Sequence, residues 1–242
     1  MISSKQNTLI KEIRSLKDKK FRDKLGVFVL EGVKPVKEGV DFNLPIREIV
    51  LTEKHISEFS NCNYKIEVVS EEVFKSISEE KTPQGVLAVV YKGENKLCSP
   101  KGACLLLDGV SDPNNVGAII RTAVASGYND IYLTSACADA YSQKSVRCSM
   151  SGVFRANIMR AEIDEILSVI NLPIVVADMD GQNVFELSLS KPCCLVIGSE
   201  GNGVSDFVKG KADLTVKIPM QNGMESLNAS VSAGILMYAL KR

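Results

Sequence analysis

LDGVSDPNNVGAIIRTAVAS, residues 107–126, joins a predicted buried strand to a predicted helix through a loop of acidic and amide side chains. Asn114 and Asn115 are residue types that cap helices, and we expect them to cap the helix that follows. Arg121 lies six positions beyond Asn115, in the first half of that helix. A surface or ion-paired arginine is the alternative interpretation of this residue when the loop is considered alone.

Apolar runs that alternate with predicted helices surround this loop. The predicted strands are ACLLLDG, DIYLT, FRANIM, PIVVADM, CCLVIGS and LTVKIPM, and the predicted helices lie near 116–127, 142–149, 163–170, 204–210 and 228–241. Alternation of this kind is typical of a parallel sheet covered by helices on both faces. The fold class indicated for residues 103–242 is therefore α/β.

Residues 1–92 are predicted to form a separate, smaller α/β domain, with 93–102 as a linker rich in Lys, Gly and Pro. An amphipathic helix over 7–24 opens this domain, and further helices are expected at 33–39, 53–59 and 71–78 between the strands VFVLEG, IREIVLT, YKIEVVS and GVLAVVY. Ten Lys/Arg against four Asp/Glu in residues 1–37 suit a phosphate backbone, although the net charge of the chain is zero. A solvated helix face explains the same charges without a partner.

Composition excludes several classes of protein. The chain is 45% apolar and 24% charged, as in globular proteins, and no apolar run approaches the ~20 residues of a membrane span. The N-terminus lacks the apolar segment of a secretory signal, so we expect a cytoplasmic protein without membrane contact. Seven cysteines without a C-x-x-C pair and a single histidine, His55, disfavour disulfides, metal sites and Ser-His-Asp triads. The chemistry must then depend on Arg, Asn, Glu and Ser.

Two more polar loops follow predicted strands: GSEGNGVS at 198–205 and IPMQNGMESLNASVSAGI at 218–235. Ligands of open α/β sheets bind at the carboxyl ends of strands, where all three loops should meet. The glycines in the first of these loops are spaced G-x-x-G-x-G, unlike the G-x-G-x-x-G of dinucleotide-binding folds. Taken alone, Glu200 is also explained as a capping or ion-paired carboxylate, and Ser226 or Asn228 as the cap of the last helix.

Three motifs carry a resemblance to a known family: N-x-G-x-I-x-R-T at 115–122, G-x-E-x-x-G at 198–203 and I-P-M…S-L-N at 218–228. Together they resemble the signature motifs of the SpoU (TrmH-like) RNA ribose 2'-O-methyltransferases. Residues 5–39 resemble the start of the L30e-like substrate-binding domain that many members carry. The resemblance implies S-adenosylmethionine as cofactor, a deep trefoil knot (SPOUT-like) in the C-terminal sheet and a homodimer formed through the knotted domain.

The substrate implied by this resemblance is RNA, with 23S ribosomal RNA expected over transfer RNA because of the N-terminal domain. A tRNA 2'-O-methyltransferase and a non-catalytic RNA-binding or ribosome-assembly protein of the same fold are the alternatives. A nucleotide-binding α/β enzyme of another kind is disfavoured by the glycine spacing and by the three simultaneous matches.

Residue roles implied by the resemblance fall into two groups. The catalytic group is Asn115, Arg121, Glu200, Ser226 and Asn228, and the cofactor would be held near Ala177, Gly181, Gly198, Ile218, Met220 and Leu227. In this family, the arginine at this position is assigned the role of proton acceptor. Because arginine is a poor base at neutral pH, we expect Arg121 mainly to position the RNA. Glu200 is expected to hold the catalytic loop or to pair with Arg121. Lys144 and Arg147 are candidate ligands of RNA phosphates.

Overall fold

A computed structural model describes residues 1–189, 191–224 and 226–241. The described chain forms two compact units, one made of Met1–Glu94 and Tyr141–Ser151, the other of Asn95–Ala140 and the chain from Gly152 onwards. The first unit thus includes a short segment that the sequence-based division placed with residues 103–242. No described helix combines the length and the hydropathy that a membrane span requires.

The helices and strands alternate along most of the chain. The helices are α1 Thr8–Ser15, α2 Lys19–Leu25, α3 Val33–Asp41, α4 Ile56–Phe59, α5 Glu71–Ile77, α6 Pro113–Ser126, α7 Gln143–Ser149, α8 Ile163–Val169, α9 Asp206–Lys209 and α10 Ala229–Leu240. The strands are β1 Val27–Glu31, β2 Ile46–Thr52, β3 Ile66–Val69, β4 Val86–Tyr91, β5 Cys104–Asp108, β6 Asp130–Thr134, β7 Asn157–Ala161, β8 Ile174–Asn183, β9 Cys194–Gly198 and β10 Leu214–Lys217.

The first unit contains a four-stranded sheet in the order β1-β4-β2-β3, in which β4 is antiparallel to both neighbours and β2 is parallel to β3. Apolar side chains from α1, α5 and the sheet form its core, among them Ile10, Ile13 and Phe74. The alternation of Ile10 and Ile13 with polar residues places one face of α1 on this core. The helices and strands of the first unit are thus arranged as an α/β fold.

The prediction of one helix over 7–24 is wrong, because the chain breaks between α1 and α2. Arg22, only 4% exposed, folds back and donates to the carbonyl oxygens of Leu16 and Lys17 at 2.7 Å each. These carbonyls would otherwise bond within a continuous helix, so the buried guanidinium stabilises the break. Asp18 then stands at the N-cap of α2.

The second unit is built on a six-stranded sheet in the order β10-β8-β9-β5-β6-β7, and every paired strand is parallel. The predicted parallel α/β sheet is confirmed. The chain runs from β5 to β6 and β7 in one direction and places β9, β8 and β10 on the other side, so the strand order reverses between β5 and β9. Open α/β sheets bind ligands at such a reversal, and Asp108 at the end of β5 lies opposite Gly198 at the end of β9.

An irregularity separates β8 from β10. Thr215 pairs with Val176, but the next residue, Val216, pairs with Gln182, so residues 177–181 leave the ladder as an excursion from β8. Gly181 closes the excursion against β10, where an added Cβ would lie 2.5 Å from the backbone nitrogen of Val216. The trefoil knot implied by the family resemblance stays a prediction.

Candidate functional site

The first motif loop ends in a capped helix. Asp112 is the N-cap of α6 and accepts a hydrogen bond from the backbone N–H of Asn114 at 2.9 Å. The prediction that Asn114 and Asn115 cap this helix is wrong, because Pro113 already occupies its first position, which is a favoured place for proline. Asn115 lies inside the first turn instead, and its side chain is buried, with 7% of the residue exposed.

Asn115 joins the three motif loops through its side-chain amide. Its Nδ2 donates to Oε1 of Glu200 at 2.6 Å, and its Oδ1 accepts from Nδ2 of Asn228 at 3.0 Å. Asn228 in turn caps α10, since its Oδ1 accepts from the backbone N–H groups of Ser230 and Val231 at 2.9 and 3.4 Å. A continuous hydrogen-bonded chain, hereafter the amide network, therefore runs from Glu200 through Asn115 to the start of α10.

The second motif loop is closed on itself. Ser199 and Gly203 exchange two backbone hydrogen bonds of 3.0 Å each, and an added Cβ on Gly198 would overlap the carbonyl carbon of Gly203. Asp108 accepts from the backbone N–H of Ser205 at 2.8 Å, which fastens the far end of the loop to β5. Asp108 is not among the residues predicted from the sequence, although its position directly after an apolar run marks the end of a buried strand.

A cleft lies between the excursion from β8, the end of β10 and the start of α10. It encloses about 490 Å³ of empty space including its mouth, within the ~300–1,000 Å³ typical of small-molecule sites. Its walls are Ala177, Asp178, Met179, Val216, Lys217, Ile218, Met220, Ser226, Leu227, Ser232 and Leu236. Apolar side chains predominate, and Asp178 supplies the carboxylate.

The predicted cofactor residues divide into two sets. Those that line the cleft are Ala177, Ile218, Met220 and Leu227. Gly181 and Gly198 do not line it, but each lets two segments of backbone approach closely beside it. Ser226, predicted as catalytic, lies in the wall of the cleft with the cofactor set.

Several residues of the cleft were not predicted from the sequence: Asp178, Met179, Ser232 and Leu236. Asp178 is the most informative of them because Lys209 of α9 lies 2.5 Å from its Oδ2. The hydrogen bond from Lys209 holds the pKa of the Asp178 carboxyl below its ordinary value, so the wall carries a negative charge at neutral pH. Ser232 and Leu236, four residues apart, present one side of α10 to the cleft.

Arg121 lies apart from both the cleft and the amide network. Six residues of helix place it ~9 Å along α6 from Asn115 and about 120° around the axis. Its side chain is exposed, and no residue in the described chain forms a hydrogen bond or ion pair with it. Glu200 was expected either to hold the catalytic loop or to pair with Arg121. Its side chain accepts a hydrogen bond from Asn115 of the first motif loop and does not pair with Arg121.

Comparison with known proteins gives two family matches. Residues 102–238 match the SpoU rRNA methylase family, and residues 7–88 match the MRM3-like substrate-binding domain. The chain is also similar to a 23S rRNA (guanosine(2553)-2'-O)-methyltransferase, RlmP, of Bacillus subtilis, with 31% identity over 99% of this chain and 98% of the relative. A 23S rRNA (uridine(2479)-2'-O)-methyltransferase of Streptomyces viridochromogenes is 27% identical over 91% of this chain and 84% of its own length.

Among solved structures, an S-adenosylmethionine-bound rRNA methyltransferase from Sinorhizobium meliloti superposes with a TM-score of 0.89. The two proteins are 28% identical, and the match covers 98% of this chain and 95% of the other. Family match, full-length relatives and fold agree with the resemblance carried by the three motifs. The chain belongs to the SpoU rRNA methylase family.

Proposed function

We propose that this protein transfers a methyl group from S-adenosylmethionine to a ribose 2'-hydroxyl of 23S ribosomal RNA. The observation that carries the proposal is the amide network, in which Asn115 joins Glu200 to Asn228 at the point where the strand order of the sheet reverses. Ser226, two residues before Asn228, lies in the wall of the cleft. Leu227, which also lines the cleft, directly precedes Asn228, so the network and the cleft are adjacent along the chain.

The cleft fits the cofactor in its chemistry. Apolar side chains such as Met179, Leu227 and Leu236 suit the faces of an adenine ring, and the charged carboxylate of Asp178 suits hydroxyl or ammonium groups. S-adenosylmethionine supplies a methyl group on a positively charged sulfur when it is bound. The apolar walls would pack against the bound cofactor, and the glycines at 181 and 198 let the surrounding backbone segments approach one another closely.

Arg121 and the amide network act on the RNA in this proposal. The exposed guanidinium of Arg121 binds a phosphate and orients the ribose, since its planar fork matches two phosphate oxygens. Arginine keeps its proton at neutral pH, which favours positioning over proton acceptance. Glu200 is fixed by Asn115 and holds the second motif loop, so the attacking 2'-oxygen meets a preformed site.

The first unit is proposed to bind the RNA backbone. Exposed lysines of α1, α2 and the break between them form a basic face: Lys11, Lys17, Lys20 and Lys24. Phe21 is 37% exposed on the same segment, and an aromatic ring among lysines suits unstacked bases. The relatives named for 23S rRNA span nearly the whole chain, including this unit, which favours ribosomal over transfer RNA. We further propose that the protein acts in the cytoplasm, which is consistent with a ribosomal RNA substrate.

A homodimer is proposed on the exposed face of α10. Val231 and Tyr238, 48% and 53% exposed, are seven residues apart and lie on one side of the helix, with the partly buried Ile235 between them. An apolar stripe on an otherwise packed helix suits a second copy of the same helix. Light scattering tests this, and Tyr238→Glu is expected to shift the mass from that of a dimer to that of the monomer.

A tRNA methyltransferase and a non-catalytic RNA-binding protein are the alternatives. Loss of Arg121, Glu200 or Asn228 would have favoured the non-catalytic reading, and all three residues are present. The decisive experiment incubates the purified protein and Arg121→Ala with methyl-tritiated S-adenosylmethionine and separate rRNA and tRNA transcripts. Alkali-resistant label in rRNA that disappears in the variant is the expected result. Label confined to tRNA, or cofactor binding without label in transcripts or in ribosomal particles, would contradict the proposal.

A further inference from the structure

The first unit contains a pocket of its own, formed by β1, the start of α3 and one face of α7. Its walls are Val29, Leu30, Glu31, Pro35, Glu80, Gln143, Val146, Arg147 and Met150. The pocket encloses about 430 Å³ of empty space including its mouth, within the ~300–1,000 Å³ typical of small-molecule sites. The pocket is separate from the cleft between β8, β10 and α10, which belongs to the second unit.

Two polar side chains in this pocket have hydrogen-bonding atoms without partners. Gln143 is only 7% exposed, and neither its Nε2 nor its Oε1 has a partner in the part of the chain that is described. Oε2 of Glu31 is likewise buried and unpartnered, while its Oε1 accepts from the hydroxyl of Ser78. Buried amides in folded proteins are nearly always hydrogen-bonded, because burial removes their hydrogen bonds to water and an amide without a new partner costs free energy.

Burial and charge make the pocket a mixed donor and acceptor site. Burial raises the pKa of the Glu31 carboxyl above its ordinary value, and the buried Oε2 of this carboxyl is an acceptor without a partner in the described chain. Gln143 offers one donor and one acceptor side by side. Val29, Leu30 and Val146 supply apolar surface on the walls around them. A flat molecule with apolar faces and a polar edge satisfies both kinds of wall.

We propose that this pocket receives one unstacked base of the RNA substrate and that Gln143 and Glu31 hydrogen-bond its edge. The proposal rests on the proposed function for the substrate class, and it adds a base-reading site in the first unit. Glutamine pairs with base edges through its amide donor and acceptor, and proteins that recognise RNA take up single unstacked bases in this way. Arg147, which is paired with Glu80 at the pocket, offers a guanidinium plane for stacking.

The pocket is joined to Arg121 by a very short stretch of chain. Met150 lines the pocket, and its backbone φ is +53°, a value that is uncommon for residues other than glycine. Two residues later, Gly152 packs against Arg121 in the second unit, where an added Cβ would lie 3.1 Å from the α-carbon of Arg121.

Binding of RNA gives the main test. The dissociation constant of a 23S rRNA transcript is measured by filter binding near 200 mM salt, where phosphate contacts are weakened and base contacts are easier to detect. Gln143→Leu is expected to raise this constant about tenfold, as loss of a two-point amide contact does. Gln6→Leu, the same change at an exposed glutamine of the first unit, should leave it unchanged. An unchanged constant in Gln143→Leu would overturn the proposal.

Folding of the variant is controlled by thermal unfolding. Leu at position 143 removes unpartnered polar atoms from the interior, so the midpoint of Gln143→Leu should equal or exceed that of the wild type. A lower midpoint would show that the amide has partners within the fold, and would count against a ligand site. Glu31→Met, which removes both carboxyl oxygens, provides a second variant with an expected loss of RNA affinity.

Methionine methyl NMR separates this proposal from the proposed function. Met150 reports on the base pocket, and Met179 and Met220 report on the cofactor cleft. S-adenosylmethionine should shift the latter two signals, and the nucleoside 5'-monophosphates should shift Met150 in the wild type and not in Gln143→Leu. Silent cleft signals with cofactor would refute the proposed function alone. A Met150 shift with mononucleotides but an unchanged RNA affinity in Gln143→Leu would assign the pocket to free nucleotides and overturn the RNA-base proposal.

Discussion

Two buried amides, Asn115 in the second unit and Gln143 in the first, have the same chemistry and opposite surroundings. Both Nδ2 and Oδ1 of Asn115 are hydrogen-bonded, whereas Nε2 and Oε1 of Gln143 have no partner in the described chain. A satisfied amide holds its neighbours in place, and an unsatisfied one retains its capacity for a ligand. The side chain of Arg121 likewise has no partner in the described chain, although it is exposed to solvent. Replacing a partnered group should therefore reduce stability and activity, and replacing an unpartnered one should reduce activity alone.

Substitution of Arg121 should give the largest effect and leave stability intact. Arg121→Lys keeps the charge but loses the planar fork, and the methylation rate at saturating RNA should fall about 100-fold or more. The midpoint of thermal unfolding and the affinity for S-adenosylmethionine should not change, because Arg121 contacts neither the amide network nor the cleft. Rates under single turnover and calorimetric cofactor titration measure both. Full activity in this variant would remove Arg121 from the proposed site.

A second prediction concerns the backbone that the amide network rests on. Gly198→Ala places a methyl group on the backbone of Gly203, which cannot give way without opening the loop. We expect a loss of about 1–3 kcal/mol in the free energy of unfolding and weaker binding of S-adenosylmethionine. Gly201→Ala is the matched control, since no atom lies within 4 Å of its added Cβ. Equal stability of the two variants would show that the loop is not held as the structure has it.

The third prediction compares the two amides directly. Asn115→Leu leaves Glu200 and Asn228 without their shared partner, and we expect the free energy of unfolding to fall by about 1–3 kcal/mol. Gln143→Leu, a change of the same kind, should not lower it. Urea unfolding of both variants beside the wild type measures the difference. Losses of similar size in the two variants would contradict the distinction between partnered and unpartnered amides.

Much of the fold could be predicted from the sequence because its signals are local. Apolar runs such as those of β5 and β9 identify buried strands, and their alternation with helices indicates a parallel sheet. Once the sheet is parallel, polar residues that follow its strands must share one edge. The meeting of Asn115, Glu200 and Asn228 was expected for this reason together with the family resemblance.

Other features depend on contacts between distant or competing residues, and the sequence does not display them. The break after α1 depends on the guanidinium of Arg22 reaching two carbonyl oxygens, whereas the apolar spacing alone continues into one helix. The N-cap of α6 is Asp112, although Asn114 and Asn115 are also residue types that cap helices. The excursion at 177–181 is set by the register of β10, which follows some thirty residues later. The lack of hydrogen-bond partners for Gln143 in the described chain can be recognised only once all of its neighbours in the structure are known.

The Asp178–Lys209 ion pair should give the smallest effect on stability, because its two side chains are partnered but near solvent, with exposures of 19% and 40%. A pair of this kind contributes about 0–1 kcal/mol. The folded protein lowers the pKa of Asp178, so the unfolded chain binds more protons near pH 3–4. The stabilisation is therefore present above the ordinary aspartate range and is lost as the pH falls through the folded pKa.

Lys209→Met should consequently lower the midpoint of thermal unfolding slightly at pH 7, and the difference should disappear at an acidic pH below the folded pKa of Asp178. Lys211→Met, an exposed lysine two residues away, is expected to have no effect at either pH. The affinity for S-adenosylmethionine at pH 7 should fall in the first variant if Asp178 is held in place for the cofactor. A midpoint difference of equal size at both pH values would mean that Lys209 contributes by packing along Asp178, and the charge on the wall of the cleft would then be independent of it.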